Sequence, residues 1–318
     1  MKLKFSPIIP FEPIVTTQLP AGECWIAQIK WDGVRMLAYY DGVSTELINR
    51  RGNYRTMQYP ELADTTAYCK ADSVILDGEI IALSQGKPSF QEVMRRDSLR
   101  KEAAIRAAKG QIQVIYMVFD ILFCNGEWTL DQPLSRRQAL LKEMLVPHPH
   151  VQMVPSYANP EELWASAKSH DLEGILCKDI TSTYSPGGKD KRWQKRKVIL
   201  DVTAVAGGVT FRDGRVNAFL LGLYDEEGKL QYIGHVGSGK LKMEDWRQLT
   251  NEAMGLATPV MPFESLPQRY NGAFWIIPKL VFKVHFLEWN PSGTLRQPVI
   301  QAAVDILPQE CRFKGQKY

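Results

Sequence analysis

The stretch Lys30-Trp31-Asp32-Gly33-Val34-Arg35 decides how this chain is interpreted. It follows the run 24–29, which has the pattern of a half-buried strand, so Lys30 lies where a strand ends and a turn begins. A lysine becomes a nucleophile only when its amine loses a proton, and desolvation or a neighbouring cation such as Arg35 favours that loss. Taken alone, the stretch fits a catalytic lysine and a solvated surface turn about equally well.

Length and composition exclude several classes of protein. With 318 residues, 45% hydrophobic and 23% charged, the chain has the composition of a globular protein and the length of two domains. No apolar run approaches the roughly 20 residues that cross a bilayer, and the N-terminus lacks the pattern of a signal peptide. The five cysteines are widely spaced and form neither a C-x-x-C metal motif nor a disulfide framework. These features predict a cytoplasmic protein with no membrane contact.

The positive charge is concentrated in one segment. The net charge of +4 is too small to prove a polyanionic partner, but six of the nine positions from Lys189 to Lys197 are Lys or Arg. Basic residues around an aromatic one, here Trp193, are typical of a strand that faces phosphate or nucleic acid. A solvated face remains the alternative interpretation.

The pattern of predicted elements changes near residue 200. Residues 6–20 carry four prolines and predict an extended arm. Strands are predicted before that point at 24–30, 36–40, 45–49, 74–83, 113–122, 173–178 and 193–199. Helices are predicted from 134 to about 145 and from 160 onward. After it, short strands at 201–211, 216–224 and 230–236, a helix near 242–254 and an apolar segment at 274–289 favour a small barrel.

Five further segments follow the lysine turn in a fixed order. They are Asn49-Arg50-Arg51-Gly52, Leu76-Asp77-Gly78-Glu79-Ile80, Val118-Phe119-Asp120-Ile121-Leu122, Glu173-Gly174-Ile175-Leu176-Cys177-Lys178 and Trp193-Gln194-Lys195-Arg196-Lys197. This series resembles the ATP-dependent DNA ligases, members of the covalent nucleotidyltransferase superfamily that includes RNA ligases and capping enzymes. The C-terminal segments 286–289 and 295–299 are similar to the ligase domain of bacterial ligase D and its stand-alone relatives. The resemblance spans nearly the whole chain.

The resemblance implies a fold and a reaction. The expected fold is α+β: an ATP-grasp-like adenylation (nucleotidyltransferase) domain of antiparallel sheets and helices over residues 1–199, followed by an OB-fold β-barrel over residues 200–318. The expected reaction seals 5′-phosphate/3′-hydroxyl nicks in duplex DNA through a lysyl-AMP and a DNA-adenylate. ATP and Mg²⁺ or Mn²⁺ are the implied cofactors. The expected enzyme is a cytoplasmic, nucleoid-associated monomer that works with bacterial end-joining or base-excision repair proteins.

The resemblance also implies roles for individual residues. Lys30 would accept AMP, and Asp32 would assist the attack of the 3′-hydroxyl. Developing negative charge at phosphorus calls for nearby cations, which the motifs supply as Arg35, Arg50, Lys195 and Lys197. Carboxylates suit the divalent metal, and the two expected ligands are Glu173 and Glu79.

The nucleotide would contact a further set of residues. Glu79 could instead hold the ribose hydroxyls, Phe119 would stack on adenine, and Gln28 would face the exocyclic amine of the base. Ile29 and Lys178 complete the expected nucleotide pocket. Many relatives carry Glu where this chain has Gln28, which weakens the case for strict ATP selectivity.

Two alternatives follow from the same residues. An RNA ligase or GTP-using capping enzyme shares the lysine chemistry, but the C-terminal Leu295-Arg296-Gln297-Pro298 segment argues against both. A non-catalytic DNA-end-binding module could keep the fold, but the nucleophile constellation of Lys30, Glu173, Lys195 and Lys197 is complete. Each motif residue alone also has a structural interpretation, with Phe119 in the core, Glu79 in a turn and Glu173 capping a strand.

The chain departs from the family near its C-terminus. Relatives carry an Arg-x-Asp-Lys motif there, whose cations orient the departing pyrophosphate, whereas residues 301–306 offer only Asp305 as a match. The expectation is that formation of the Lys30 adduct is the slow step, partly rescued by Arg296 or Lys314.

Overall fold

The computed structural model describes residues 6–313, apart from positions 85, 171, 240, 269 and 291. The chain divides into two compact units, Met1–Val198 and Ile199–Tyr318, so the boundary expected from the sequence lies one residue from this division. Within the described ranges, no helix is long and apolar enough to span a membrane.

The first unit is built from eleven described strands and four α-helices. The strands are β1 (Glu12–Val15), β2 (Trp25–Ile29), β3 (Val34–Tyr40), β4 (Thr45–Asn49), β5 (Val74–Ser84), β6 (Lys87–Pro88), β7 (Val114–Cys124), β8 (Glu127–Trp128), β9 (Val151–Met153), β10 (Gly174–Asp179) and β11 (Lys189–Lys197). The helices are α1 (Phe90–Asp97), α2 (Glu102–Gln111), α3 (Leu134–Met144) and α4 (Pro160–Ser169). Short 3₁₀ helices lie at Thr56–Gln58, Pro60–Leu62 and Thr65–Ala67.

These strands form two sheets. One has the order β1-β11-β10-β2, and the other has the order β4-β3-β5-β7-β8, with β6 paired to β5 and β9 paired to β7. The pairings are antiparallel except for β1 with β11 and β7 with β9, which are parallel. The expectation of antiparallel sheets therefore holds for all but these two pairs.

The N-terminal arm is part of the first sheet. The sequence predicted an extended arm over residues 6–20, but Glu12–Val15 pairs with β11 and Phe11 is buried at 1% exposure. The Phe11 backbone N–H donates to the Tyr184 hydroxyl at 2.9 Å. The prediction missed this strand because its partner lies about 180 residues later in the sequence, and such long-range pairing leaves no local signal.

A core of aromatic and aliphatic residues lies between the two sheets. Residues alternate across a strand, so one face of the larger sheet contributes Leu37, Ile75 and Phe119 to this core. Trp193 of β11 enters from the smaller sheet, is 1% exposed and packs edge-on against Phe119. The interpretation of Trp193 as part of a nucleic-acid face was wrong, because its ring belongs to the core.

Over its described residues, the second unit is a six-stranded antiparallel sheet with one α-helix. Its elements are β12 (Leu200–Arg212), β13 (Arg215–Tyr224), β14 (Leu230–Val236), α5 (Met243–Gly255), β15 (Ala273–Trp275), β16 (Val281–Phe286), β17 (Val299–Ala303) and a 3₁₀ helix at Pro308–Glu310. The order is β14-β13-β12-β16-β17, with β15 paired to β12. The predicted apolar segment 274–289 is divided between β15 and β16, and the sequence did not predict β17.

Candidate active site

The ends of three neighbouring strands bring Lys30, Glu173 and Lys197 together. β10 pairs in antiparallel fashion with both β2 and β11, so the end of β2, the start of β10 and the end of β11 lie at one edge of the sheet. The Lys30 backbone N–H donates to the Gly174 carbonyl at 3.0 Å, and Gly174 is the register partner of Lys197.

Glu173 holds two ammonium groups at this edge. Its Oε2 lies 2.6 Å from Lys30 Nζ, and its Oε1 lies 3.7 Å from Lys197 Nζ. The Glu173 side chain is 3% exposed, whereas that of Lys30 is 22% exposed. The site therefore combines a fixed buried carboxylate with an amine that solvent and ligands can reach.

The partner of Lys30 differs from the one expected. The sequence suggested that Arg35 would lie beside Lys30 and favour the neutral amine, but the contact observed is the carboxylate of Glu173. An opposite charge at this distance stabilises the ammonium form of Lys30. The nucleophile must lose this stabilisation before it can react.

Two glycines are required by close packing around the site. A Cβ on Gly33, in the lysine turn, would lie 2.2 Å from the Ile80 carbonyl oxygen of β5. A Cβ on Gly174, beside Glu173, would lie 2.1 Å from the Arg196 carbonyl oxygen of β11. Any larger residue at either position would shift the backbone that carries Lys30 or Glu173.

Arg35 is committed to an internal ion pair. Its Nε and Nη2 donate to the two carboxylate oxygens of Asp77 at 2.8 and 2.6 Å, and its Nη1 donates to the Phe11 carbonyl at 2.9 Å. Burial would lower the pKa of Arg35, but the charge of Asp77 and the hydrogen bonds that Arg35 donates to it outweigh burial and raise that pKa. The structure thus buries Arg35 beside Asp77 of the same sheet, and all three guanidinium nitrogens donate hydrogen bonds, two to Asp77 and one to the Phe11 carbonyl.

Lys178 is a buried ammonium between two aromatic rings. Its Nζ lies 4.2 Å from the Phe119 ring centre and 4.1 Å from that of Trp193, and no described residue hydrogen-bonds it. Burial lowers the pKa of Lys178 to about 7, although Asp120 and Asp77 act in the opposite direction. An unpaired buried donor is costly, so Lys178 marks a place where a ligand acceptor would be stabilised.

We expect Lys178→Met to raise the thermal stability of the nucleotide-free protein at pH 7. Methionine keeps the packing between the rings and removes the buried charge, and each kcal/mol gained raises the Tm by about 2–4 °C. The folded-state pKa of about 7 lies below the ordinary lysine pKa of 10.5. The unfolded chain therefore binds more protons between these values, and wild-type stability rises with pH across that window.

Melting curves from pH 6.5 to 9.5 test this expectation. The advantage of Lys178→Met should be largest near pH 7 and should shrink as the pH rises. Lys191→Met is the matched control, because Lys191 is an exposed residue of β11 and its replacement should leave the Tm unchanged. A Lys178→Met protein that melts below the wild type at pH 7 would show that this ammonium stabilises the fold.

Gln28 and Ile29 lie on opposite faces of β2. The Gln28 side chain is buried and its Nε2 donates to Ser156 Oγ at 3.0 Å. Because residues alternate across a strand, Gln28 shares the face of Lys30. The Ile29 side chain packs on the other face against Ala27 and its neighbours, so only its backbone is available to the site.

The structure also gives the positions of the four remaining predicted residues. Lys195 shares the face of Lys197 on β11, and Asp32 lies partly buried in the lysine turn. Glu79 is the register partner of Arg35 on β5 and contributes to its raised pKa. Arg50 differs, because it is 58% exposed and its Nη1 lies 3.7 Å from Glu12 Oε1.

Several residues that shape the site were not predicted from the sequence. Asp120 and Arg137 form a fully buried pair, with Nε–Oδ1 at 2.8 Å and Nη2–Oδ2 at 3.1 Å. Tyr184 donates to Asp77 Oδ2 at 2.8 Å, and burial raises its pKa so that the hydroxyl keeps its proton. A carboxylate inside an apolar strand needs a buried partner, so Asp77 and Asp120 were signals available in the sequence.

The site fits a divalent cation that takes most of its ligands from elsewhere. Among the described residues, no group of three His, Cys, Asp or Glu side chains could hold a metal. Mg²⁺ commonly uses one or two carboxylates and fills its shell with phosphate oxygens and water. Glu173 is the carboxylate at this edge that would supply such a ligand, and a metal ion there would have to displace the ammonium groups of Lys30 and Lys197 from its oxygens.

The basic run of β11 is split by the fold. Lys189 and Lys191 are exposed at the end of β11 opposite Lys197. Arg192 pairs with Asp190 at 2.6 Å and lies over the Phe11 ring at 5.0 Å. Only the two exposed lysines of this end are therefore suited to meet a polyanion in solution.

Two family models match the chain. The ATP dependent DNA ligase domain matches residues 12–197, and the ATP dependent DNA ligase C terminal region matches residues 212–303. The multifunctional non-homologous end joining protein LigD of Mycobacterium bovis is 30% identical over 288 residues, which are 86% of this chain and 35% of that protein. A DNA ligase of Methanoculleus marisnigri is 33% identical over 249 residues, covering 73% of this chain and 45% of that ligase.

A solved structure supports the same assignment. The mycobacterial DNA ligase D complexed with ATP and MES matches with a TM-score of 0.71 at 28% identity, covering 96% of this chain and 98% of that one. The chain spans between a third and a half of the length of the curated relatives named above. Because the first family model alone covers more than half of the residues, this chain belongs to the ATP-dependent DNA ligase family, whose members form a covalent AMP intermediate from ATP and require a divalent metal.

Proposed function

We propose that this chain seals nicks in duplex DNA and that Lys30 carries the AMP. The observation that carries the proposal is the reachable Lys30 amine, held 2.6 Å from Glu173 with Lys197 at the same carboxylate. The Lys30 nitrogen attacks the α-phosphorus of ATP, a P–N bond forms, and the bond to pyrophosphate breaks. A 5′-phosphate oxygen of the nick then takes the AMP from Lys30, and the 3′-hydroxyl finally displaces AMP to close the strand.

The residues around Lys30 have separate tasks in these steps. Glu173 Oε2 holds the Lys30 ammonium in place, and the partly exposed amine loses its proton to solvent before it attacks. Lys195 and Lys197 supply positive charge on the face from which the phosphates approach. Glu173 would hold Mg²⁺ or Mn²⁺, which neutralises phosphate charge when bound. Asp32 is assigned to the final step, the attack of the 3′-hydroxyl.

The nucleotide pocket is assigned to residues between the two sheets. Gln28 and the Ile29 backbone would meet the base, with Phe119 beneath it and Lys178 as a buried donor. Glu79 is assigned to the ribose or the metal. Arg35 would hold the wall of the pocket through Asp77, and Arg50 would reach the phosphates only after leaving Glu12.

Labelled ATP provides the test of this proposal. Purified protein with Mg²⁺ should gain one AMP, which mass spectrometry should locate on Lys30, and should lose it when nicked DNA is added. Sealed product should accumulate on DNA nicks with a 5′-phosphate. Labelling at another residue, or sealing of RNA nicks in preference to DNA nicks, would contradict the assignment.

The cellular context is proposed from the relatives. Because the matched LigD proteins are named for non-homologous end joining, we place this chain in end joining ahead of base excision repair. A cytoplasmic, nucleoid-associated location follows from a chromosomal DNA substrate. The sequence-based expectation of a monomer stays a prediction, which the mass in solution would test.

We expect nick binding to weaken linearly on a log–log salt plot and Lys189→Gln/Lys191→Gln to reduce the slope by up to about 2. Each phosphate contact contributes about 0.9 to that slope, and these two lysines are the exposed cations of this end of β11. Arg192 is left intact because it packs on Phe11. Fluorescence anisotropy of labelled nicked DNA at several salt concentrations provides the measurement.

Lys109→Gln/Lys142→Gln is the matched control for this prediction. It removes the same charge from exposed positions on α2 and α3. A slope that falls equally in both double variants would mean that net charge alone matters. A slope that neither variant changes would mean that the β11 lysines lie on a solvated face and do not contact DNA.

A further inference from the structure

We propose that Ser156 and Gln138 are positioning residues that orient the Gln28 amide, so that its carbonyl oxygen faces the bound base and the chain selects ATP over GTP. This inference rests on the proposed nucleotide reaction at Lys30. It concerns two residues that belong to none of the ligase motifs in the sequence.

A chain of three hydrogen bonds leads from Gln28 to the backbone of Phe119. Gln28 Nε2 donates to Ser156 Oγ at 3.0 Å, and Ser156 Oγ donates to Gln138 Oε1 at 3.4 Å. Gln138 Nε2 donates to the Phe119 carbonyl oxygen at 2.6 Å. The shortest of the three bonds is therefore the one to the backbone.

The backbone carbonyl fixes the direction of every bond in this relay. A carbonyl oxygen can only accept, so Gln138 must present its Nε2 to Phe119 and its Oε1 to Ser156. The Ser156 hydroxyl has one hydrogen, which it gives to Gln138, so it can only accept from Gln28. Gln28 must then place Nε2 toward Ser156, and Oε1 is the amide atom left for a ligand.

The relay joins the two sides of the proposed nucleotide pocket. Gln28 lies two residues before Lys30 on β2, on the same face, and is 1% exposed. Gln138 lies on α3, and Phe119 lies on β7 of the larger sheet. The group that reads the base is thus tied to the residue proposed to lie beneath it.

The orientation of the amide decides which purine is accepted. Adenine presents an exocyclic amine at C6, which can donate to Oε1 of Gln28. Guanine presents a carbonyl oxygen at the same position, so two acceptors would face each other at the buried Gln28 side chain. A glutamate carboxylate can only accept hydrogen bonds, whichever way it is turned. A glutamine amide has one accepting atom and one donating atom, so the surroundings of Gln28 must determine which of them faces the base.

Ser156→Ala tests the relay. Without the hydroxyl, the Gln28 amide can turn over and offer Nε2 to guanine, so the rate of labelled GMP-adduct formation relative to AMP-adduct formation should rise about tenfold. The Tm of each variant is measured alongside, since a structural defect would lower both adduct rates together and leave their ratio unchanged. Ser169→Ala is the matched control, because Ser169 bonds only within its own helix end in the described contacts.

A second substitution asks whether orientation is the cause. Adding Gln28→Glu to Ser156→Ala replaces the amide with a group that can only accept, so the preference for ATP should return. A Ser156→Ala ratio equal to that of the wild type would overturn the proposal, as would a raised ratio that Gln28→Glu fails to restore. If the wild type forms no AMP adduct at all, the reaction proposed at Lys30 is wrong and this inference falls with it.

Discussion

Lys30→Ala protein is expected to form no AMP adduct from ATP and yet to seal nicks that already carry a 5′-adenylate. The first step needs the Lys30 amine as the nucleophile, whereas in the last step the 3′-hydroxyl attacks and Lys30 forms no bond. Sealing of ordinary nicks should therefore fall below detection. Gel assays on the two substrates, run side by side with the wild type, provide the measurement.

The structure predicts a side effect of this substitution that must be controlled. Removing the Lys30 ammonium leaves the buried Glu173 with Lys197 at 3.7 Å, and an underpaired buried carboxylate costs about 1–3 kcal/mol. The Tm should fall by several degrees while the fold remains. Lys70→Ala, at an exposed position, is the control for loss of a lysine elsewhere. Ordinary nicks sealed by Lys30→Ala protein would mean that another residue is the nucleophile.

The sequence predicted which strands carry the residues of the candidate site. It placed Lys30 at the end of one strand, Glu173 at the start of another and Lys197 within a third, and antiparallel pairing brings these residues to one edge. The ligase fold, the enzyme class and the use of ATP were predicted in the same way and are confirmed by the family. Local sequence patterns can predict such features because the reactive residues lie at the ends of strands.

Side-chain partners could not be predicted, since they depend on which strand lies beside each residue and on what packs against its face. Arg35 follows Lys30 closely in sequence, but on β3 it faces Asp77 of the neighbouring strand β5. Trp193 lies among six basic residues, but its face of β11 turns toward Phe119. Local charge therefore predicted the surroundings of these two residues wrongly. For the same reason, the sequence did not reveal the hydrogen bonds that lead from Gln28 to Ser156 and Gln138.

Formation of the Lys30 adduct is expected to be much slower than sealing of a pre-adenylated nick, because losing one electrostatic contact to developing charge typically costs about 10²–10³ in the rate of that step. The family resemblance implies an Arg-x-Asp-Lys motif here for orienting the pyrophosphate, whereas residues 299–303 form β17, with Gln301 and Ala302 buried. Single-turnover rates on nicked and pre-adenylated DNA, each at saturating enzyme, provide the comparison.

The two candidate replacements for the missing cations differ in what the structure says of them. Lys314 lies outside the described residues, whereas Arg296 is 55% exposed and pairs with Glu288. If Arg296 meets the pyrophosphate, it must first leave Glu288. Glu288→Gln should then speed adduct formation and Arg296→Gln should slow it, with sealing of pre-adenylated nicks unchanged in both. Adduct formation in the wild type that is as fast as sealing would show that other cations already complete the site, because a leaving group with so much charge does not depart quickly without them.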